Sequence, residues 1–131
     1  MAEGLKVPVS VKIRLLDAED LQPTFELVDA AIAAGASLVT LHGRTREMKG
    51  QYVGCADWAA IAAVRKHVAG RVPFVANGGI ETAADVERCL AETECEGVMV
   101  SEGALENPAL FTRVCPERRH RTLQMKCVKG F

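Results

Sequence analysis

The sequence predicts an α/β fold in which parallel strands alternate with helices. Short β-branched runs and helical stripes of apolar residues follow one another four times along the chain. The predicted strands begin about 25 to 34 residues apart, which is the length of a strand with its crossover helix. The 131 residues are 49% apolar and 25% charged, with a net charge of −1, an ordinary composition for one globular core.

The first unit begins with residues 7–15, where apolar and polar side chains alternate with period two. This alternation predicts a strand. Pro23 suits the first turn of a helix, and the apolar stripe that follows it ends near Gly35, a residue type that favours helix ends. We therefore expect a strand followed by a helix of about three turns.

The same order recurs three more times. Further strands are predicted at residues 38–42, 72–76 and 97–100. Asp57 is placed to cap the helix after the second strand, because aspartate accepts hydrogen bonds from the first free amides of a helix. Thr82 and Asp85 have the form of a capping box before the third helix. The four units share little sequence, so the repeat is structural.

The polar face of the first strand distinguishes two architectures. Helix-covered parallel strands form either a doubly wound sheet or a (β/α)₈ barrel. A doubly wound sheet should be apolar on both faces, whereas Ser10, Lys12 and Arg14 share one face here. A barrel accommodates such residues at the mouth formed by its strand ends. A complete barrel has eight strands and about 250 residues, so the sequence favours about half of one.

Polar residues and glycines lie at or directly after the carboxyl ends of all four predicted strands. They are Lys12, Arg14, His42, Arg44, Asn77, Gly78, Gly79, Ser101 and Glu102. The strand ends of a parallel barrel meet at one mouth, where barrel sites are built. The alternative is four unrelated turns, because Gly and Asn are common turn residues. We expect one site, since the pattern occurs at every predicted strand end.

Each of these residue types has a chemical use at such a mouth. Lys12 in a barrel interior would need an anionic or hydrogen-bonding partner, and a bound ligand is one. Asn77 can donate and accept hydrogen bonds, while Gly78 and Gly79 allow backbone amides to approach a ligand closely. Residues 101–103 follow the fourth strand, where barrels commonly bind phosphate through backbone amides.

Two basic segments are predicted outside the regular elements. The loop 43–56 is long for its position and carries Arg44, Arg46 and Lys49, with Tyr52 available for stacking. It either contacts an RNA backbone or is simply solvated. Residues 113–131 have a net charge of +5 and lose the apolar period. We expect them to be a poorly ordered tail, so that the domain covers residues 1–112.

Cysteine usage and hydropathy predict a cytoplasmic protein without a membrane partner. No run approaches the roughly 20 apolar residues of a membrane helix, and no apolar stretch of a signal peptide follows Met1. The five cysteines lack the spacing of a zinc or redox motif. Reduced thiols and no metal site are therefore expected.

Five segments together carry a resemblance to a known family. They read V-K-I-R (11–14), L-H-G-R-T-R-E (41–47), A-D-W (56–58), A-N-G-G-I (76–80) and G-V-M-V-S-E-G-A-L-E-N-P-A-L-F (97–111). In this order and spacing they resemble the tRNA-dihydrouridine synthase family, from about Val7 to Phe111. The last segment looks most like the eukaryotic branch that acts on the D-loop region of tRNA.

The resemblance implies reduction of a tRNA uridine to 5,6-dihydrouridine by FMN, with NADPH as the reductant. It also implies a TIM-type barrel followed by a helical domain, with the four strands here as the second half of that barrel. The implied cofactor-binding residues are Lys12 and His42 at the flavin ring, Asn77, Gly78 and Gly79 at the ribityl-phosphate portion, and Ser101 and Glu102 at the phosphate. Arg14 and Arg44 are implied RNA or uracil contacts.

The sequence departs from the family pattern at two places. Many members have Gly-Arg or Ala-Arg where this chain has Ser101 and Glu102, so a cation at the phosphate is missing. The family's general-acid cysteine lies in an N-x-G-C-P motif upstream of the matched strands, and none of the five cysteines here has that context.

These departures leave two functions open. One is a flavoenzyme fragment derived from a dihydrouridine synthase, which acts on tRNA. The other is a non-catalytic half-barrel that binds FMN or another phosphate ligand, or serves as an interaction module. In either case, the open edges of half a barrel predict pairing with a second copy in a homodimer.

Overall fold

The computed structural model describes residues 2–48 and 54–111 of the chain. A short 3-10 helix, Ala2–Gly4, comes first, and strands then alternate with helices. Strands β1 to β4 cover Val9–Arg14, Ala36–His42, Phe74–Asn77 and Gly97–Met99. Helices α1 to α4 cover Gln22–Ala33, Trp58–Val68, Ala83–Thr93 and Glu102–Glu106. The predicted α/β alternation is confirmed.

The strands form one parallel sheet in the order β1-β2-β3-β4. Each strand therefore lies beside its neighbour in sequence, as in a barrel, whereas a doubly wound sheet reverses its order at a switch point. Among the described strands, β1 and β4 pair on one side only. The architecture is an open run of four (β/α) units, which confirms the predicted fold class.

The strand register places the site residues in one row across the sheet. Residues paired across parallel strands point to the same face, and successive residues alternate between faces. The last row contains Arg14, His42, Asn77 and Met99. The row before it contains Ile13, Leu41, Ala76 and Val98. The two rows consequently face opposite sides of the sheet.

The apolar core lies between the sheet and its helices. Leu41, Phe74 and Ala76 are fully buried on the helix side of the sheet. They belong to one apolar cluster with Ile61, Val64 and Val68 of α2 and Val86 and Cys89 of α3. Because this face makes the core, the opposite face with the Arg14 row corresponds to the interior of a barrel.

Two predicted helix caps are confirmed. The Asp57 side chain accepts a hydrogen bond from the Ala60 amide at 2.7 Å, and α2 begins at the next residue. Thr82 and Asp85 form a capping box in which each side chain accepts from the other residue's backbone amide. These caps fix where α2 and α3 begin, directly after the loops that carry the predicted site.

The strand boundaries differ from the predicted ones by about two residues, a normal margin for element ends. β1 and β3 begin after Pro8 and Pro73, respectively, because proline has no amide hydrogen to donate to a strand ladder. β2 begins earlier than predicted, directly after Gly35, whose φ of +94° makes the turn out of α1.

Some expectations fall outside the described residues. These are the poorly ordered tail at 113–131 and the middle of the long loop, including Lys49 and Tyr52. In the ranges that are described, no helix has both the length and the apolar character required to cross a bilayer.

Candidate functional site

A cleft lies at the carboxyl ends of the four strands. Its lining includes eight predicted site residues, namely Arg14, His42, Arg44, Asn77, Gly78, Gly79, Ser101 and Glu102. We call this the strand-end cleft. β1, β2 and β3 contribute the final row of the sheet, while the loops after β2, β3 and β4 contribute the remaining residues.

Lys12 lies on the same face of the sheet as Arg14, two rows further from the strand ends. It pairs in register with Thr40, which in turn pairs with Val75. Its side chain is exposed, although partial desolvation and the charge of Arg14 lower its pKa. The structure therefore does not bring Lys12 to the described lining of the cleft, and its implied contact with the flavin ring stays a prediction.

His42 is surrounded by positive charge. Partial burial, followed by the charges of Arg14, Lys12 and Arg44, lowers the pKa of His42 from 6.5 to about 4. The imidazole is therefore neutral at neutral pH. A neutral ring can donate one hydrogen bond and accept another, which suits contact with a heterocycle better than a fixed charge does.

The hydrogen bonds of Arg44 define which ring nitrogen of His42 carries the proton. Arg44 Nη1 lies 3.3 Å from His42 Nε2. Because a guanidinium only donates, Nε2 accepts, and the neutral ring carries its hydrogen on Nδ1. Arg44 is held in place by a second bond, from its Nε to the Gly54 carbonyl oxygen at 2.7 Å.

Arg14 and Asn77 are tied to backbone atoms around the cleft. Arg14 Nη1 donates to the Thr45 carbonyl oxygen at 2.9 Å, which links β1 to the loop after β2. Asn77 is buried, and its Nδ2 donates to the Met99 carbonyl oxygen at 2.8 Å. Asn77 thus joins the ends of β3 and β4, a structural task that sequence reasoning did not assign to it.

Gly78 and Gly79 form a tight turn that only glycine fits. Their φ angles are +100° and +72°, in a region that side chains with a Cβ avoid. A Cβ at Gly78 would lie 2.7 Å from His42 Cδ2 and 3.0 Å from the Ala56 Cβ. The packing of His42 and Ala56 against this turn therefore requires glycine at position 78, and the predicted close approach of the turn to a ligand stays a prediction.

Trp58 is a further residue that bears on the site, and sequence reasoning gave it no role beyond the motif. Its Nε1 donates to the Gly78 carbonyl oxygen at 3.0 Å. The signal in the sequence was a single tryptophan directly after the capping residue Asp57. Nothing in the local sequence indicates which distant turn such an indole contacts.

Ser101 and Glu102 form the edge of the cleft at β4. Both residues are exposed, and α4 begins at Glu102. The first turn of α4 packs tightly against the loop after β3, because a Cβ at Gly103 would lie 2.9 Å from the Ile80 carbonyl oxygen. This contact fixes the start of α4 against that loop.

The charges divide the cleft into two ends. Arg14 and Arg44 lie at the end near β1 and β2, whereas Glu81 and Glu102 lie at the end near β3 and β4. No group of three or more metal-ligating side chains occurs among the residues of ranges 2–48 and 54–111. The arrangement suits a ligand that presents hydrogen-bonding groups along the cleft and negative charge near the two arginines.

The lowered pKa of His42 predicts a pH-dependent stability. The unfolded chain binds a proton on this histidine below about pH 6.5, whereas the folded chain does so only near pH 4. The free energy of unfolding should therefore fall by about 1 kcal/mol as the pH drops through this window, since solvent screening reduces the full effect.

Urea unfolding at several pH values from 7 to 4.5 measures this slope, which should be smaller in His42→Gln. The lowered pKa values of Asp29 and Asp85 start from 3.8, so their stabilisation is lost only at lower pH. An equal slope in His42→Gln and the unsubstituted chain would contradict the prediction.

Comparison with known proteins identifies the family. The family model described as "Dihydrouridine synthase (Dus)" matches residues 1–129, beyond the range on which the sequence resemblance rests. The mouse protein named "tRNA-dihydrouridine(16/17) synthase [NAD(P)(+)]-like" is 47% identical over 109 residues, which are 83% of this chain and 22% of the mouse protein. The Schizosaccharomyces pombe tRNA-dihydrouridine(16/17) synthase is 41% identical, over 82% of this chain and 26% of its own length.

A bacterial relative gives the same result. The probable tRNA-dihydrouridine synthase of Rhodobacter capsulatus is 46% identical over 122 residues, which are 87% of this chain and 36% of that protein. The chain thus spans between about a fifth and just over a third of the length of these relatives.

Two solved structures share the fold at low identity. A mandelate oxidase variant has a TM-score of 0.53 at 21% identity, over 75% of this chain and 26% of that one. The CutC protein of Streptococcus agalactiae has a TM-score of 0.53 at 18% identity, over 71% of this chain and 41% of its own. These neighbours are TIM-barrel proteins, and at such identities they show the fold alone. Because the family model matches residues 1–129 of this 131-residue chain, the chain belongs to the dihydrouridine synthase family.

Proposed function

We propose that this chain is the flavin-binding half-barrel of a tRNA-dihydrouridine synthase and that it binds FMN in the strand-end cleft. The observation that carries the proposal is the final row of the sheet, in which Arg14, His42 and Asn77 lie side by side. The Gly78–Gly79 turn adjoins this row and lines the same cleft. FMN, reduced by NADPH, supplies the hydride that converts uridine to 5,6-dihydrouridine in the family reaction.

The donors and acceptors of the cleft support a flavin nucleotide. His42 offers an Nδ1 hydrogen to a ring carbonyl or nitrogen, because its Nε2 accepts from Arg44. Gly78 and Gly79 offer closely approachable backbone at the polyol and phosphate. Lys12 would reach the ring from two rows further along the same face of the sheet, as the family resemblance implies.

The phosphate would be bound by backbone amides at residues 101–103. No arginine stands at these positions, and the Glu102 carboxylate repels a phosphate. Because both side chains are exposed, Glu102 can point to solvent while the backbone of this tightly packed loop faces the ligand. We expect the affinity for FMN to be low for this reason, and because half a barrel supplies only part of the pocket wall.

The cationic end of the cleft fits an RNA substrate. Arg14 and Arg44 can contact the uracil or a neighbouring phosphate, since guanidinium groups bind both. Relatives from mouse and fission yeast carry the tRNA positions 16/17 in their names, so we propose a tRNA D-loop uridine as the substrate of the parent enzyme. A tRNA substrate supports a cytoplasmic location.

Titration of the chain with FMN, followed by flavin fluorescence, tests the cofactor site. His42→Gln should weaken binding about fivefold through the loss of one hydrogen bond, and Lys12→Ala should also weaken it. His67→Gln is the matched control, because His67 lies on α2 and pairs with Asp29 away from the cleft. Micromolar or tighter binding that is unaffected by both His42→Gln and Lys12→Ala would count against the site.

A non-catalytic half-barrel is the second candidate. The 131 residues contain residues that match the family's flavin contacts but no N-x-G-C-P motif, so by themselves they are expected to bind the cofactor without supplying the general acid. Such a protein would bind FMN or another phosphate ligand, or act as an interaction module. A stable, colourless protein that does not bind added FMN would favour this second candidate, as a module that binds another phosphate ligand or a partner, over the flavoenzyme fragment.

A second copy of the chain is proposed to cover the open sheet edges. Exposed large apolar residues concentrate there, with Leu5, Val7 and Leu16 beside β1 and with Met99, Leu105 and Phe111 in or after β4. A two-fold axis can place β4 of one copy parallel to β1 of the other, which closes an eight-stranded barrel.

Light scattering should show a dimer that Val7→Glu shifts toward the monomer. The glutamate places a charge at a 65% exposed apolar position beside the β1 edge, where it would be buried only in the dimer. A monodisperse monomer of the unsubstituted chain at high concentration would contradict this assembly.

A further inference from the structure

Trp58 contacts the Gly78–Gly79 turn, and this turn lines the strand-end cleft. It is the first residue of α2 and the single tryptophan of the chain. Its indole is half-buried against the core, and Nε1 donates to the Gly78 carbonyl oxygen at 3.0 Å, although the two residues are 20 positions apart. Gly78 lines the cleft, and Trp58 is not among its described lining residues.

The segment 56–58 contacts the residues that follow β2 and those that follow β3. The Asp57 amide donates to the Gly43 carbonyl oxygen at 2.7 Å, and the Gly43 amide donates to the Asn77 carbonyl oxygen at 3.1 Å. Ala56 packs against the turn, because a Cβ at Gly78 would lie 3.0 Å from the Ala56 Cβ. Trp58 adds the bond that orients the turn itself.

That bond determines where the next backbone amide points. A trans peptide is planar, so its carbonyl and its N–H point in opposite directions. Because the Gly78 carbonyl points at the indole, the Gly79 N–H points away from it. The φ angles of +100° and +72° place this turn in a region that glycine visits without an intrinsic preference, so an external contact is needed to hold one orientation.

We propose that Trp58 is a positioning residue whose Nε1 hydrogen bond fixes the Gly78–Gly79 peptide, so that the Gly79 amide can donate to an acceptor oxygen of the flavin nucleotide. This inference rests on the proposed function and assigns a task within the same cleft. The acceptor chemistry is a phosphate or a polyol hydroxyl, since both accept from a backbone N–H.

Arg88 supplies a matched control on the other contact of the indole. Its guanidinium carbon lies 5.1 Å from the Trp58 ring centroid, and its Nη2 pairs with Asp85 at 2.8 Å. Arg88→Gln removes the cation from the ring but leaves the Nε1 bond intact. An effect that depends on the contact between the indole and this cation would respond to the substitution, whereas the proposed orientation of the turn would not.

The single tryptophan allows the bond to be removed without changing the ring size. Expression in a tryptophan-requiring host with benzothienylalanine replaces Nε1–H of Trp58 alone by sulfur. We expect FMN affinity to fall about fivefold and the glycine amide signals of Gly78 and Gly79 to shift or broaden in ¹⁵N-glycine spectra. Incorporation of 5-fluorotryptophan, which keeps the N–H, and Arg88→Gln should both retain FMN affinity within twofold and leave the signals in place.

FMN affinity and the glycine amide signals together distinguish a failure of the positioning role from a failure of the proposed function. Unchanged Gly78 and Gly79 signals and unchanged FMN affinity in the benzothienylalanine protein would overturn the positioning role. A response of these signals in a chain that binds no FMN would overturn the proposed function and leave Trp58 as the residue that orients the turn. Trp58→Phe, which also lacks the N–H, repeats the test if the analogue fails to incorporate.

Discussion

The 131-residue chain, incubated with FMN, NADPH and unmodified tRNA transcript, is expected to form no dihydrouridine above background. Reduction of uridine needs a hydride at one ring carbon and a proton at its neighbour. General-acid catalysis of such a proton transfer is worth about 10² to 10⁴ in rate. The cleft residues that match the family are proposed to contact flavin and RNA, and the family's N-x-G-C-P motif does not occur in the 131 residues.

The cysteines in the described ranges do not replace that acid. Cys89 and Cys95 are buried in the core, and burial raises the pKa of Cys89 to about 11 and also raises that of Cys95. Cys55 is exposed and precedes α2, but it is not among the described lining residues of the cleft and lacks the motif that positions the family's cysteine. Geometry decides a general acid before its pKa does.

Mass spectrometry of digested tRNA measures the product, with a full-length dihydrouridine synthase as the positive control. Cys55→Ala should match the unsubstituted chain at the background level. Turnover comparable to that of the full-length enzyme, and abolished by Cys55→Ala, would show that this thiol acts as the acid and would contradict the prediction.

The fold was predictable because its determinants are local. Period-two alternation in β1, the caps at Asp57 and Thr82, and the proline in the first turn of α1 act within a few residues of one another. The polar face of β1 then favoured a barrel over a doubly wound sheet. The observed strand boundaries differ from the predicted ones where a proline or a positive-φ glycine determines which residue makes the first hydrogen bond of a strand.

The residues that line the cleft were predictable from the sequence, but the hydrogen bonds that hold them in place were not. Parallel topology brings every strand end to one edge, so eight of the nine predicted residues line the cleft. Lys12 differs because it precedes Arg14 by two residues, which places it two rows further from the strand ends on the same face. The bond of Asn77 to Met99 and that of Trp58 to Gly78 join residues about 20 positions apart, and sequence periodicity carries no information about such pairs.

The second large effect is expected from Gly78→Ala, which should abolish most FMN binding. The substitution places a Cβ 2.7 Å from His42 Cδ2 and 2.8 Å from Nε2, a separation that van der Waals radii do not allow. Either the imidazole or the turn must move, and both line the cleft. The φ of +100° adds backbone strain, which costs about 1 to 2 kcal/mol for a residue with a Cβ.

Gly70→Ala separates the effect of backbone strain from the effect of the steric clash between the new Cβ and His42. Gly70 also has a positive φ, +75°, but a Cβ there meets nothing within 4 Å. Both variants should lose about 1 to 2 kcal/mol of unfolding free energy to strain, with a larger loss in Gly78→Ala. FMN affinity should fall at least about tenfold in Gly78→Ala, because the displaced His42 and turn no longer meet the ligand, and should stay within twofold in Gly70→Ala. Urea unfolding and FMN titration on the same preparations measure the two effects, and equal affinities in the two variants would remove the Gly78 turn from the cofactor site.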